Sequence, residues 1–97
     1  MPNEGTTELR HEPEQQRYTL YIDGELVGVA DYLLRPGAIT FTHTGIAPDR
    51  RGGGLGARLV KFALDDVRAT GGLTVKPACW FVREWFQRHP EDADLLA

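Results

Sequence analysis

The chain has 97 residues, of which 41% are hydrophobic and 26% are charged, and this is the size and composition of one globular domain. It contains no apolar run long enough to span a bilayer and no secretory signal, and its single cysteine allows no internal disulfide, so we expect a cytoplasmic protein. The net charge of −3 comes from the first 16 residues, and the neutral remainder argues against a nucleic-acid-binding protein.

The first 16 residues predict a flexible N-terminal tail. They are polar, include Pro2 and Pro13, and show no hydrophobic periodicity. His11 lies in this segment, and we assign it no function. The folded domain is therefore expected to cover residues 17–97.

Three strands are predicted to follow the tail. Residues 17–22 alternate between two faces, 26–34 continue the apolar pattern, and 38–47 are rich in threonine and β-branched residues. Asp-Gly at 23–24 and Pro-Gly at 36–37 are typical of tight turns between strands. This pattern indicates a three-stranded antiparallel meander, with its first strand at an edge that could pair with a second copy of the chain.

A helix, a short strand and a second helix are predicted in the C-terminal half. Apolar residues four apart indicate a helix over 56–69, which Gly71 and Gly72 end. Residues 73–77 have the pattern of a short strand that could lie parallel to the third strand, and 78–89 carry apolar pairs at helical spacing. The predicted order is β-β-β-α-β-α, an α+β fold with a mixed sheet.

The segment RRGGGLGAR, residues 50–58, places four glycines directly before the first helix. Glycine loses more conformational freedom on folding than other residues, so this concentration needs a reason. A helix N-terminus attracts phosphate, and glycines allow backbone amides to approach it closely. The segment lacks the Lys-Ser/Thr pair of a P-loop. It also lacks the acidic residue that a dinucleotide-binding fingerprint requires about 20 residues further on.

The loop resembles the pyrophosphate loop of the GCN5-related N-acetyltransferases, whose signature is Q/R-x-x-G-x-G/A. Arg51, Gly54 and Gly56 are in register with this signature. The segments FTHTGIAP (41–48) and CWFVREWFQRHPEDADLL (79–96) are similar to a compact subfamily of short chains. The resemblance extends over residues 17–97 and implies a minimal fold of this family, in which the meander is followed by a βαβ unit that binds acetyl-CoA.

The resemblance also implies where the coenzyme binds. Its pyrophosphate would contact the loop amides and Arg51, with Arg50 or Arg58 adding charge. Its pantetheine arm would lie between the strands at 38–47 and 73–76. A backbone amide near the end of the strand before the loop would stabilise the developing oxyanion. The expected coenzyme-binding residues are Ile46, Ala47, Arg51, Gly52, Gly53, Gly54, Leu55, Gly56 and Ala57.

His43 and Cys79 are the two candidate catalytic residues. His43 is a candidate base, expected to share a strand face with Phe41 and Gly45, and the alternative is that it only fills a sheet face. Cys79 is expected at the start of the second helix, where a thiol tends to have a lowered pKa. It could protonate the coenzyme thiolate or accept the acetyl group, and the alternative is a small buried hydrophobic residue.

The chain departs from the family pattern at two positions and lacks one family residue. Gly45 stands where compact relatives often have glutamate, and Trp80 stands where proline is common. The last helix lacks the tyrosine that serves as an acid in the family. If glutamate is the usual base, His43 or water must replace it.

We expect an acetyl-CoA-dependent N-acetyltransferase that acts on a primary amine of unknown identity, either a small amine or a protein lysine. The alternatives are a coenzyme A-binding module without turnover, and a small domain whose loop binds another anion such as a phosphopeptide. No cluster of side chains has metal-ligand spacing, so no metal is expected. The chain is expected to be a monomer or a weak homodimer.

Overall fold

The computed structural model describes residues 6–96, which form a five-stranded mixed sheet and two α-helices. The strands lie in sequence order and are β1 (Thr7–Glu12), β2 (Arg17–Ile22), β3 (Glu25–Arg35), β4 (Ala38–Ile46) and β5 (Thr74–Pro77). The helices are α1 (Leu55–Thr70) and α2 (Trp80–Arg88). Three short 3-10 turns are Pro13–Gln15, Pro48–Arg50 and Pro90–Leu95. The α+β class with a mixed sheet is confirmed.

Strand β1 corrects the prediction of a flexible tail. Its residues pair antiparallel with those of β2, from Thr7 opposite Ile22 to Glu12 opposite Arg17. Leu9 packs against the hydrophobic core, whereas its neighbours on the strand are polar, so the sequence shows no periodicity that would indicate a strand. Residues 1–5 of the predicted tail lie outside the described part of the chain.

Polar contacts of Glu12 stabilise the pairing of β1 with β2. Its carboxylate accepts hydrogen bonds from Arg17 Nε and from the Tyr21 hydroxyl, both at 2.9 Å. The buried Thr19 hydroxyl also donates to it, at 3.2 Å. Strand β1 therefore forms one edge of the sheet, and the prediction that residues 17–22 form an edge strand is wrong.

The predicted meander is confirmed in β2, β3 and β4, which pair antiparallel in sequence order. Asp23 and Gly24 both have positive φ, at 52° and 82°, as the tight hairpin turn between β2 and β3 requires. The short strand β5 is parallel to β4, as the sequence suggested, with Ala38 opposite Thr74 and Phe41 opposite Pro77. The antiparallel meander therefore continues into one parallel pair.

A β-bulge at Thr42 decides which side chains of β4 face the helices. Phe41 and His43 pair with consecutive residues of β3, so Thr42 is an extra residue and the alternation shifts by one. Phe41 and Thr44 consequently share one face, and His43 shares the other face with Gly45. The expectation that His43 shares a face with Phe41 is wrong, because the bulge shifts the alternation after Phe41. The sequence shows no sign of this bulge.

Helices α1 and α2 cover one face of the sheet and enclose a single hydrophobic core. The two helices approach closely at the start of each, where Gly56 lies against the ring of Phe81. On the other face, Leu33 and His43 are exposed. Fully buried core side chains include Tyr18, Leu20, Phe41, Leu59, Val67, Val75 and Val82.

Within residues 6–96, no helix combines the length and the apolar character that crossing a membrane would require.

Candidate active site

A cavity of about 450 Å³ lies where the end of β4 meets the first turns of α1 and α2. It exists because β5 pairs with β4 only as far as Phe41, whereas β4 continues to Ile46. After Pro77 the chain turns into α2, and the Cys79 N–H donates to the Phe41 carbonyl at 2.9 Å. Strands β4 and β5 therefore separate beyond Phe41. This opening lies between the two segments, 38–47 and 73–76, that were expected to hold the pantetheine arm. The cavity is lined by Thr44, Ile46, Arg50, Arg51, Gly52, Gly54, Leu55, Gly56, Ala57, Trp80 and Phe81.

The glycine-rich loop forms one end of this cavity. Gly52 and Gly54 have φ values of +89° and +79°, a backbone region that other residues rarely adopt. Gly54 is the N-cap of α1, and Arg58 N–H donates to its carbonyl at 3.1 Å in the first bond of the helix. The amides of residues 55–57 precede that bond and form the helix N-terminus, which carries a partial positive charge.

The space around the loop is open on its glycine side. A Cβ atom at Gly52, Gly53 or Gly54 would have no heavy atom within 4 Å apart from those of the glycine itself and its two chain neighbours. A phosphate can therefore approach the backbone here without colliding with a side chain, as an anion site at a helix N-terminus requires. The loop thus fits the diphosphate group that the sequence predicted for it.

Gly56 has a different role from the one the signature suggests. A Cβ at this position would lie 2.7 Å from Phe81 Cζ, which is closer than carbon atoms approach each other. Gly56 is therefore required for the packing of α2 against α1. It still lines the cavity, because its backbone belongs to the first turn of α1.

Arg50 and Arg51 supply positive charge to the cavity wall. Arg51 is exposed, and its Nε donates to the Ile46 carbonyl at 3.2 Å, which holds the side chain across the loop. This bond uses one of the five guanidinium N–H groups, so the other four can donate to an anion.

The two backbone amides predicted at the end of β4 differ in orientation. The Ala47 N–H donates to the Val27 carbonyl at 2.8 Å and is therefore engaged within the sheet. Because the amides of an antiparallel strand alternate in direction, the neighbouring Ile46 N–H is directed away from β3, toward the opening. Ile46 is thus the better placed of the two predicted oxyanion donors.

Cys79 is the N-cap of α2 and is only 7% exposed. Its Sγ lies 3.6 Å from Oγ1 of Thr44, whose side chain lines the cavity. Burial alone would raise the pKa of the Cys79 thiol, but hydrogen bonds from Thr44 and from the amides of Phe81 and Val82 outweigh it. The pKa of Cys79 is consequently lowered, which favours the reactive thiolate.

His43 lies on the sheet face opposite the helices, where it is exposed and pairs across the strands with Asp31. Its Nε2 is 3.0 Å from the position that a Cβ at Gly45 would occupy. The imidazole therefore covers the backbone at Gly45. His43 and Cys79 approach the end of β4 from opposite faces of the sheet, and the structure does not bring them into contact.

Sequence reasoning missed Thr44, which connects Cys79 to the cavity. The regular alternation of β4 would have placed its side chain away from Phe41, and only the bulge at Thr42 turns it toward the helices. No group of three or more metal-ligating side chains is present within residues 6–96.

This fold and site define a small α+β domain in which a glycine-rich loop at a helix N-terminus lies beside an opening in the sheet. A sequence model of the GCN5-related N-acetyl-transferase family matches residues 17–95, and the chain belongs to this family. No curated protein sequence matches the chain.

Solved structures share the fold. A GCN5-like protein from Staphylococcus aureus, assigned to the N-acetyltransferases, is 17% identical with a TM-score of 0.71 over 93% of this chain and 87% of its own. The ribosomal-protein-S18-alanine N-acetyltransferase from Escherichia coli is 22% identical with a TM-score of 0.58, over 61% of this chain and 38% of its own.

A third structure with this fold was solved with ligands. N-acetylglutamate synthase from Neisseria gonorrhoeae, complexed with coenzyme A and N-acetyl-glutamate, is 22% identical with a TM-score of 0.62. The match covers 86% of this chain and 22% of that one. The matched part of the present chain therefore spans less than half the length of the Escherichia coli and Neisseria gonorrhoeae enzymes.

Proposed function

We propose that the protein is an acetyl-CoA-dependent N-acetyltransferase that acts on a primary amine and binds its coenzyme in the cavity between β4, α1 and α2. The observation that carries this proposal is the continuity of one cavity from the glycine loop to Thr44, which contacts the Cys79 thiol. The glycine loop suits a diphosphate, and the contact between Thr44 and Cys79 lies where a thioester would react. Membership of the family and the coenzyme A complex of a protein with the same fold support it.

Different groups of the chain would bind different parts of the coenzyme. The amides of residues 55–57 and the guanidinium groups of Arg50 and Arg51 would hold the pyrophosphate. The opening between β4 and α2 would hold the slender pantetheine arm. Acetyl-CoA, when bound, supplies an activated acetyl group on a thioester sulfur. The Ile46 N–H is directed toward the opening and would donate to an acyl oxygen that gains negative charge.

Proton transfer is assigned to His43 and Cys79. An acceptor arrives mainly as an ammonium ion and must lose a proton before its nitrogen can form a bond. His43 is exposed on the helix-free face and would accept that proton there. Cys79 lies on the other face and would either protonate the departing thiolate or carry the acetyl group on Sγ itself.

The test combines binding with turnover. Calorimetry should show acetyl-CoA binding, and an assay with a panel of small amines and lysine peptides should show release of coenzyme A. His43→Ala and Cys79→Ala should bind acetyl-CoA like the wild-type protein and lose turnover. Absence of binding at millimolar acetyl-CoA would refute the proposal.

A second candidate function is a coenzyme A-binding protein without turnover. It is favoured by Gly45, which provides no carboxylate where compact relatives often have one, and by the α2 sequence, which has no tyrosine. In that case the wild-type protein would bind acetyl-CoA but release no coenzyme A with any amine in the panel.

If the protein is active, intact-protein mass spectrometry after incubation with acetyl-CoA distinguishes direct transfer to the amine from transfer through Cys79. Only transfer through Cys79 adds an acetyl group to the wild-type chain and none to Cys79→Ala.

A further inference from the structure

Trp80 presents a large apolar side chain to the cavity instead of to the core. It is the first residue of α2, it is 64% exposed, and its indole lines the cavity. Its ring packs edge-on against Phe81, with centroids 5.5 Å apart, and Phe81 in turn lies against Gly56 of α1. The two aromatic rings therefore form a continuous wall on the α2 side of the cavity.

The other tryptophan of α2, Trp85, has a structural role. Trp85 is only 9% exposed, and its Nε1 donates to Asp92 at 3.1 Å. Its ring stacks on His89 with centroids 3.7 Å apart. Trp80 has a comparable apolar area that packing within the domain leaves uncovered. Ligand-binding cavities are lined mainly by hydrophobic and aromatic side chains, so an exposed indole on a cavity wall fits a ligand contact.

The position of Trp80 indicates which part of a ligand it would contact. It follows Cys79 directly, and it shares the cavity with the loop glycines at one end and with Thr44 at the other. Ile46 provides an apolar side chain on the β4 wall. A ligand that reaches from the loop to the thiol region must therefore pass between α2 and β4, and only the middle of an extended ligand occupies that space.

We propose that Trp80 covers the pantetheine arm of the coenzyme, holds it against Ile46, and makes the cavity select the whole coenzyme over its nucleotide portion. This inference rests on the proposed function, because it takes the loop as the pyrophosphate site. The indole offers an apolar face to the methylene groups of the arm and an N–H donor to its amide carbonyls. Trp80 is thus a specificity-determining residue, separate from the groups proposed to transfer protons.

The experiment compares two probes by calorimetry. Coenzyme A carries the arm, whereas adenosine 3′-phosphate 5′-diphosphate keeps the nucleoside, the 3′-phosphate and the 5′-diphosphate but lacks the arm. Trp80→Ala should weaken coenzyme A binding about tenfold, which corresponds to about 1.4 kcal/mol. The same variant should change binding of the nucleotide by less than about twofold. Trp80→Phe should recover most of the lost affinity.

Two control variants make the result specific. Leu33→Ala removes an exposed apolar side chain from the opposite face of the sheet and should leave both affinities unchanged. Arg51→Ala should weaken both ligands, because it removes charge from the loop. Trp80→Ala would overturn the role proposed for Trp80 if it bound coenzyme A as tightly as the wild type, or if it lost affinity for both ligands equally. Neither result would affect the proposed function. A wild-type protein that binds neither ligand would overturn the proposed function as well.

Discussion

The thiol of Cys79 lies between an apolar core and a helix N-terminus, and these surroundings act on its pKa in opposite directions. Burial disfavours the thiolate and would raise the pKa. The Thr44 hydroxyl and the amides at the start of α2 stabilise the thiolate and lower it, and their combined effect is the larger. A lone cysteine in a core is usually inert, so this balance is what distinguishes Cys79 as a candidate catalytic residue.

The lowered pKa of Cys79 can be measured because the chain has one cysteine. We expect the alkylation rate of the native protein with iodoacetamide to reach its half-maximum at a lower pH than that of the same protein unfolded in urea. Thr44→Val keeps the shape of the side chain and removes its hydroxyl, so the native midpoint should shift upward. Equal midpoints for the native and unfolded protein would contradict this account of the thiol.

At the scale of elements, the glycine loop and α1 form one unit, in which the conformation of Gly54 allows the helix to begin. Gly54 and Gly53 are neighbours that both have free space around a built Cβ, but only Gly54 has a positive φ, at +79°. A side chain at Gly54 would therefore strain the backbone, whereas one at Gly53 would extend into open space. The pair provides a matched comparison.

Gly54→Ala should weaken acetyl-CoA binding strongly and lower the free energy of unfolding by about 1–2 kcal/mol, because alanine disfavours the left-handed conformation. Gly53→Ala should retain the stability of the wild-type protein. Calorimetry with acetyl-CoA and urea denaturation measure the two effects. If both variants unfold at the same urea concentration, the conformation of Gly54 does not organise the coenzyme loop.

The elements predicted from the sequence are those with strong local signals. Asp23-Gly24 indicated the first hairpin, and the periodicity of residues 56–69 indicated α1 within one residue at each end. Strand β1 was missed because polar contacts, such as those of Glu12, hold a segment with little apolar pattern. The bulge at Thr42 was missed because it depends on pairing between strands. As a result His43 was assigned to the wrong face, and Thr44 was not recognised as a residue of the site.

At the scale of the whole molecule, a cluster of four side chains joins β1, β2, β3 and α1. The Tyr18 hydroxyl donates to Asp66 Oδ2 at 2.7 Å, and the Tyr32 hydroxyl lies 2.6 Å from His11 Nε2. The His11 ring stacks on Tyr18 with centroids 4.2 Å apart, and its Nδ1 is 3.4 Å from Asp66. The family match begins at residue 17, so this cluster attaches a strand that precedes the matched region.

Because of this cluster, the stability of the domain should decrease at alkaline pH. Tyr18 is 1% exposed, and burial, followed by its hydrogen bond to the Asp66 carboxylate, raises its pKa well above the ordinary value for tyrosine. Burial also raises the pKa of Tyr32. Because these raised values belong to the folded state, the neutral tyrosines contribute their full stability below the unfolded-state pKa of about 10. That contribution is lost progressively as the pH rises above it.

We therefore expect the free energy of unfolding, measured by urea denaturation, to fall steeply above about pH 10. Tyr18→Phe should cost about 1 kcal/mol at pH 7, because it removes one hydrogen bond, and it should flatten the alkaline decline. A smaller decline should remain in this variant, since Tyr32 is still present. If Tyr18→Phe follows the wild-type profile between about pH 9 and about pH 11, ionisation of the cluster does not limit the stability of the fold.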